Sequence, residues 1–379
     1  MTRPRELEGC ILTPQGFLQG GIAWDAAGRI TDITGNPIAE ESVRQGAGDI
    51  LLPGFIDLHV HGGAGRDIME GGDAALAVAR CHARHGTTAL LATTMTAPTA
   101  DIEQALRAVR PLCDERVPGA ARVLGVHLEG PYINPGKLGA QPDHARPLSI
   151  AELNRLNAIA PIRLVTLAPE MPGHMEAVAP LTAAGYCVQL GHTLGSYEQG
   201  RDALARGARG FTHLFNAMTG LHHREPGMVG AALAHAHYAE FIPDLLHVHP
   251  GAILAALRAI PCAYCVTDST AAAAMPDGDY RLGSHTVTKC LGGVRLADGT
   301  LAGSALTMDQ ALRNLVERLG LGLADASRRV STHAADYLGL ADRGRLQTGA
   351  WADVVVLDHE LALRGVVIEG RTVDIQHAD

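Results

Sequence analysis

Eight short apolar runs recur between residues 54 and 269, spaced by segments rich in Ala, Leu and Arg with helical period, and this alternation constrains the fold most. The runs are 54–62, 87–95, 122–130, 162–170, 186–193, 210–218, 240–248 and 261–269. Strands apolar on both faces suit a parallel sheet covered by helices. The intervening segments predict helices at 73–85, 101–113, 149–160, 174–184, 196–206 and 251–259, with a closing helix at 304–319. Eight such units over about 280 residues match a (β/α)8 TIM barrel in count and size.

The chain ends have a different texture. Residues 8–13, 21–25 and 27–33 alternate β-like runs with turn signals, as do 346–358 and 365–371. The expected fold is therefore α/β: a TIM barrel over 54–342 and a small β-sandwich domain built from both termini, 1–53 and 343–379. Residues 280–304 read as β-hairpins inserted before the closing helix.

Composition narrows the function classes. With 47% hydrophobic and 19% charged residues in a chain of 379, a folded core is available and disorder is excluded. The net charge of -9 argues against nucleic acid as partner, because counterion displacement needs a basic surface. No run approaches 18 apolar residues, so no membrane partner is expected, and acidic residues stand where a signal peptide would be apolar. A cytoplasmic protein is expected. The 7 Cys are scattered and odd in number, as for reduced thiols, and Cys262 and Cys265 lie in a strand-like run without a second pair.

In a TIM barrel, chemistry is placed at the C-terminal ends of the strands. Here run one ends in His59-Val-His61, run three in His127-Leu-Glu129, and runs five to eight in His192, His213, His247 and Asp268. Strand residues two apart share a face, so His59 and His61 can ligate one metal ion. A lone histidine on an apolar strand is ordinarily a hydrogen-bonded core residue, and His127 is read that way. His235 and His237 read as solvated helix surface. Six residues of one chemical class on one barrel face (His59, His61, Glu129, His192, His213 and Asp268) point instead to a metal site. The chain holds only two lysines, Lys137 and Lys289, neither at a strand end, which excludes a carboxylated-lysine bridge and a Schiff-base barrel. Glu129 is then the natural carboxylate ligand or bridge.

Longer strings carry a resemblance. They include Pro53-Gly-Phe-Ile-Asp-Leu-His-Val-His-Gly, Gly125-Val-His-Leu-Glu-Gly-Pro-Tyr-Ile-Asn, Gly191-His-Thr, Thr212-His-Leu-Phe-Asn-Ala-Met, Arg224-Glu-Pro-Gly, Asp244-Leu-Leu-His-Val-His and Val266-Thr-Asp-Ser. The chain resembles the amidohydrolase superfamily and, within it, the deacetylases of N-acetylglucosamine 6-phosphate. The resemblance implies Glu129, His192 and His213 as core ligands of a divalent metal, zinc or iron, with His59 and His61 able to take a second ion. It implies Asp268 as the catalytic acid/base and Asn216, Ala217, Arg224 and His247 as holders of the sugar phosphate, Arg224 either within its subunit or across a homodimer. Where many members carry a loop histidine at the substrate, this chain has Gln141, which the resemblance therefore puts among the substrate-binding residues, with His144 three residues on as its substitute. The implied reaction converts N-acetyl-D-glucosamine 6-phosphate to D-glucosamine 6-phosphate and acetate. A related substrate such as N-acetylgalactosamine 6-phosphate, or a barrel without catalysis, are the alternatives.

Overall fold

The fold is that of a computed structural model, which describes residues 5–46 and 48–375. The parts of the terminal segments assigned above to 1–4 and 376–379 lie outside the described residues. Six parallel strands run in chain order around most of a barrel: Phe55–Val60, Thr87–Thr94, Arg122–Glu129, Ile162–Leu167, Cys187–Leu190 and Gly210–Phe211. Strands seven and eight, Glu240–Phe241 and Tyr264–Cys265, pair in parallel. The ring closes on either side of that pair. Leu214 N–H donates to the Glu240 carbonyl at 2.8 Å, and Asp268 N–H donates to the His59 carbonyl at 2.9 Å.

The helices pack outside this ring. Ala74–Ala83, Thr99–Asp114, Ile150–Ile159, His174–Ala183, Tyr197–Ala205 and Pro250–Ala259 fall where the helical period placed them. Ser149 accepts from Glu152 N–H, and Ser196 forms a capping box with Gln199, so both starts were marked by residues that satisfy free helix N–H groups. Helix Gly227–His235 was anticipated only as the helix surface on which His235 and His237 were read; it ends at His235, leaving His237 beyond it. Its sequence GMVGAALAH is buried from Gly227 through Ala232 and has no polar face to set a period. The closing helix is shorter than expected, Met308–Arg313, and continues as a π-helical segment, Asn314–Arg318.

The later strands are also shorter than the apolar runs. Their ladders stop before the polar residues, because His192, His213 and Asp268 adopt φ values of 48°, 29° and 49°. A left-handed residue cannot continue a strand, and it turns its side chain back toward the barrel mouth. For a residue with a Cβ this costs roughly 1–3 kcal/mol, which the surrounding contacts must offset.

Both chain ends build one seven-stranded sheet, in which Ile50–Pro53 pairs with Glu6–Thr13 on one side and Val354–Leu357 on the other. Alternate residues face opposite ways. Cys10, Leu12, Ile50, Leu52, Val355 and Leu357 join the main core, whereas Ile11, Leu51, Val354 and Val356 join a smaller cluster with Trp24 and Leu346. A three-stranded antiparallel insertion, Gly278–Leu282, His285–Cys290 and Gly293–Arg295, stands beside the barrel mouth. Among the described residues, no helix is long and apolar enough to cross a membrane.

Candidate metal centre and active site

Two groups of three donors meet at the mouth of the barrel, His59 with His61 and Asp268, and Glu129 with His192 and His213. All six residues are buried. Glu129 joins the groups: its Oε1 lies 3.1 Å from the Nε2 atoms of both His192 and His213, and its Oε2 lies 3.3 Å from His59 Nε2 and 3.1 Å from His61 Nε2. Asp268 Oδ1 lies 3.5 Å from His59 Nε2 and 3.3 Å from His61 Nε2.

The ring tautomers test whether a cation fits. His192 Nδ1 lies 2.8 Å from the Lys137 carbonyl, which can only accept, so Nδ1 carries hydrogen. In the neutral ring Nε2 is then a lone pair, yet it faces a carboxylate oxygen and, at 3.0 Å, His213 Nε2. His59 repeats the pattern, with Nδ1 2.7 Å from Glu240 Oε1 and Nε2 turned to His61 Nε2 at 3.1 Å. Acceptors do not converge at such distances unless positive charge lies between them. Imidazole and carboxylate donors, each oriented by a hydrogen bond from its far side, suit a divalent cation.

The imidazoles and carboxylates shift one another's titration. Burial alone would depress the His61 ring, but hydrogen bonds to Asp268 and Glu129 hold it up, at about 9. His59 is likewise held well above the ordinary imidazole range, against burial, by the charges of Glu129, Asp268 and Glu240. Asp268 is pulled down to about 2; burial opposes this, and the adjacent His59 and His61 outweigh it. Asp268 is therefore ionised at neutral pH.

A cavity of about 390 Å³ opens over both groups. It is lined by His61, Glu129, His192, His213 and Asp268 on one side, and by Asn216, Ala217, His247, Lys137 and Gln141 among others. His247 Nδ1 donates to Asp244 Oδ2 at 2.7 Å, which leaves its Nε2 as the free ring nitrogen. Arg224 does not line the cavity; it is exposed on the loop ahead of helix Gly227–His235. Gln141 lines it but is held from within: its Nε2 donates to Glu129 Oε2, and its Oε1 accepts from Thr96 N–H, each at 2.6 Å. His144 is exposed and lies outside the cavity lining.

A family model described as "Amidohydrolase family" matches residues 50–373. The chain belongs to the amidohydrolase family. This amidohydrolase is 42% identical to an N-acetylgalactosamine-6-phosphate deacetylase of Escherichia coli O157:H7, over 95% of this chain and 97% of that one. It is 38% identical to an N-acetylglucosamine-6-phosphate deacetylase of Lysinibacillus sphaericus, over 92% of each. Its fold superposes with a TM-score of 0.87 on a mutant N-acetyl-D-glucosamine-6-phosphate deacetylase of Mycobacterium smegmatis in complex with N-acetyl-D-glucosamine 6-phosphate. The two are 32% identical, with 97% of this chain and 98% of that one covered.

Two buried carboxylates of this amidohydrolase escaped sequence reasoning. Asp57 receives Thr267 N–H at 3.2 Å and Thr267 O–H at 2.6 Å, tying strand one to strand eight beneath Asp268, and burial pushes its carboxyl up to about 7. Glu240 takes the His59 ring. Asp57 stands two residues before His59, on the same strand face, and that spacing was the available signal. Lys137 was also passed over, because it lies in a Gly/Pro-rich loop and not at a strand end. His127 is the core residue it was read as. Its Nδ1 donates to the Leu58 carbonyl at 3.2 Å, its Nε2 meets Thr166 Oγ1 at 2.8 Å, and burial keeps it neutral. Glu170 pins the loop after His192, accepting from Leu194 N–H at 2.6 Å and Asn134 Nδ2 at 2.8 Å. His235 is exposed and meets the Tyr197 hydroxyl.

Proposed function

We propose that this amidohydrolase is a metal-dependent deacetylase of N-acetyl-D-glucosamine 6-phosphate, releasing D-glucosamine 6-phosphate and acetate. The observation that carries the proposal is the convergence of Asp268 and both donor groups on one wall of a cavity that also presents Asn216, Ala217 and His247. A barrel without catalysis would have no need of this complete set.

In the proposed reaction, Glu129, His192 and His213 would hold one divalent ion, and His59 and His61 with Asp268 would hold a second. Zinc and iron both accept such mixed donors. When bound, the ion supplies Lewis acidity to the acetyl carbonyl and lowers the pKa of water toward neutrality. The Asp268 carboxylate accepts the proton of the attacking water as the new C–O bond forms. It then returns that proton to the sugar nitrogen as the C–N bond breaks, because an amine leaves poorly unless protonated. His247, Asn216 and the backbone at Ala217 hold the phosphate in the cavity that they line. Gln141 acts in this scheme on Glu129 and not on the sugar.

Arg224 is exposed and clear of the cavity of its own subunit, which supports reading it as a phosphate contact supplied across a homodimer. Arg224→Ala should raise KM for the sugar phosphate about 10–100-fold, the worth of a charge-assisted hydrogen bond. Mixing Arg224→Ala subunits with Asp268→Asn subunits should restore turnover at low substrate concentration, which neither parent shows. Mixtures no more active than the parents would place Arg224 within its own subunit. The enzyme is assigned to the cytoplasm, where sugar phosphates and reduced thiols such as its free cysteines are found.

A second substrate is favoured by one specific observation, the 42% identity to a galactosamine-type deacetylase. The two sugars differ only at C4, so comparing kcat/KM for acetate release from the two N-acetylhexosamine 6-phosphates decides between them. A higher value for the gluco epimer is expected, and the reverse order would reassign the substrate.

A further inference from the structure

Glu240 is fully buried, and its two oxygens stand in different surroundings. Oε1 accepts from His59 Nδ1 at 2.7 Å and from the backbone N–H of His213 at 3.0 Å. Oε2 has no hydrogen-bond partner among the described residues. One oxygen thus touches a donor residue from each group, the ring of one and the main chain of the other. The main-chain contact falls where it is needed, because His213 holds a left-handed φ of 29° that its own sequence does not favour. The Glu240 carbonyl also receives Leu214 N–H at 2.8 Å, so the residue clamps the turn after strand six at two points.

We infer that Glu240 is a positioning residue that makes the second metal site available, by holding His59 in the tautomer whose Nε2 faces His61, Glu129 and Asp268. The inference rests on reading the two donor groups as metal ligands. Without an acceptor at Nδ1, the ring is free to place its hydrogen on Nε2, which would abolish the lone pair on the side facing the other donors. His192 does not share this dependence, because its Nδ1 is fixed by the Lys137 carbonyl. The loss should therefore be unequal. The first group keeps two of its three ligands untouched and meets Glu240 only through the His213 main chain. The second loses the orientation of His59 outright.

A buried carboxylate with an unpaired oxygen destabilises a fold unless charge balances it, and a carbonyl oxygen at the same place suffices for both contacts. Glu240→Gln keeps that oxygen and removes the charge, whereas Glu240→Ala removes both. The two variants separate the hydrogen bond from the charge.

The test is stepwise Zn2+ titration of the metal-stripped full chain, with bound metal counted by elemental analysis and the fold checked by circular dichroism and thermal unfolding. Wild-type protein should take up two ions. Glu240→Ala should bind the second ion about 10–100-fold more weakly, the usual effect of losing a ligand's hydrogen-bond partner, with the first ion weakened less. Glu240→Gln should recover most of the second-site affinity and serves as the reading if the alanine variant does not fold. Unchanged affinities in a folded variant, equal weakening of both sites, or a glutamine variant with no gain over alanine would overturn the inference. Wild-type protein that takes up a single ion would instead withdraw the second donor group, and the inference with it.

Discussion

Asp268→Asn should lower kcat for acetate release by about 10²–10⁴-fold while leaving KM for the sugar phosphate nearly unchanged. Asparagine fills the same space but can neither accept the proton of water nor hand one to the amine. The groups proposed to hold the phosphate, His247, Asn216 and the Ala217 backbone, line the same cavity and are left unchanged. Metal uptake by Glu129, His192 and His213 should persist, since none of the three depends on Asp268 for orientation: His192 is set by the Lys137 carbonyl and Glu129 by Gln141. Kinetics and metal content measured on one preparation check both halves of the expectation. A variant with retained rate would remove Asp268 from the reaction. A variant emptied of metal would make it a ligand first.

Glu129→Ala should have a larger effect and of a different kind. Both oxygens of this carboxylate are engaged, Oε1 by His192 and His213 and Oε2 by His59 and His61. Removing it leaves buried imidazoles facing one another without the anion that attracts a cation between them. The variant should bind neither ion at micromolar metal. Its activity should fall by on the order of 10⁴-fold or more, equivalent to about 5.5 kcal/mol of transition-state stabilisation. Elemental analysis after dialysis, together with the rate at saturating substrate, is the check. Glu129→Gln should not restore metal, because an amide oxygen replaces one of two anionic contacts and an N–H group meets the other. Full occupancy of both sites in either variant would contradict the bridging role.

The barrel was legible because helices outside and side chains inside bury its strands on both faces, and such strands stand out as unbroken apolar runs. The six donor residues were legible for a related reason: a polar residue closing an apolar run has few other places to point. The backbone turn that points them there was not. Nothing in His192, His213 or Asp268 announces a positive φ, so the strands read longer than they are. Glu240 was invisible for the opposite reason to His59. It opens strand seven and does not close it, and its place beside the His59 ring depends on how the last two strands complete the circle. The extent of helix Gly227–His235 was not legible, because burial of Gly227 through Ala232 erases the period on which helix recognition depends. Gln141 shows what position alone leaves out: the resemblance put it at the substrate, and it lines the cavity, while its amide also spans Glu129 and Thr96. Arg224 shows the converse, a residue in a recognisable motif whose side chain is exposed on a loop outside the cavity of its own subunit.

The central claim joins a metal-dependent hydrolysis to a phosphorylated N-acetyl amino sugar. It is tested most directly by following acetate released from N-acetyl-D-glucosamine 6-phosphate, first with protein stripped by chelator and then after Zn2+ or Fe2+ is returned. The account predicts one acetate per glucosamine 6-phosphate formed, loss of turnover on stripping, and recovery on adding the metal. Turnover that survives complete removal of metal, or no acetate from the metal-loaded protein with either epimer, would contradict it.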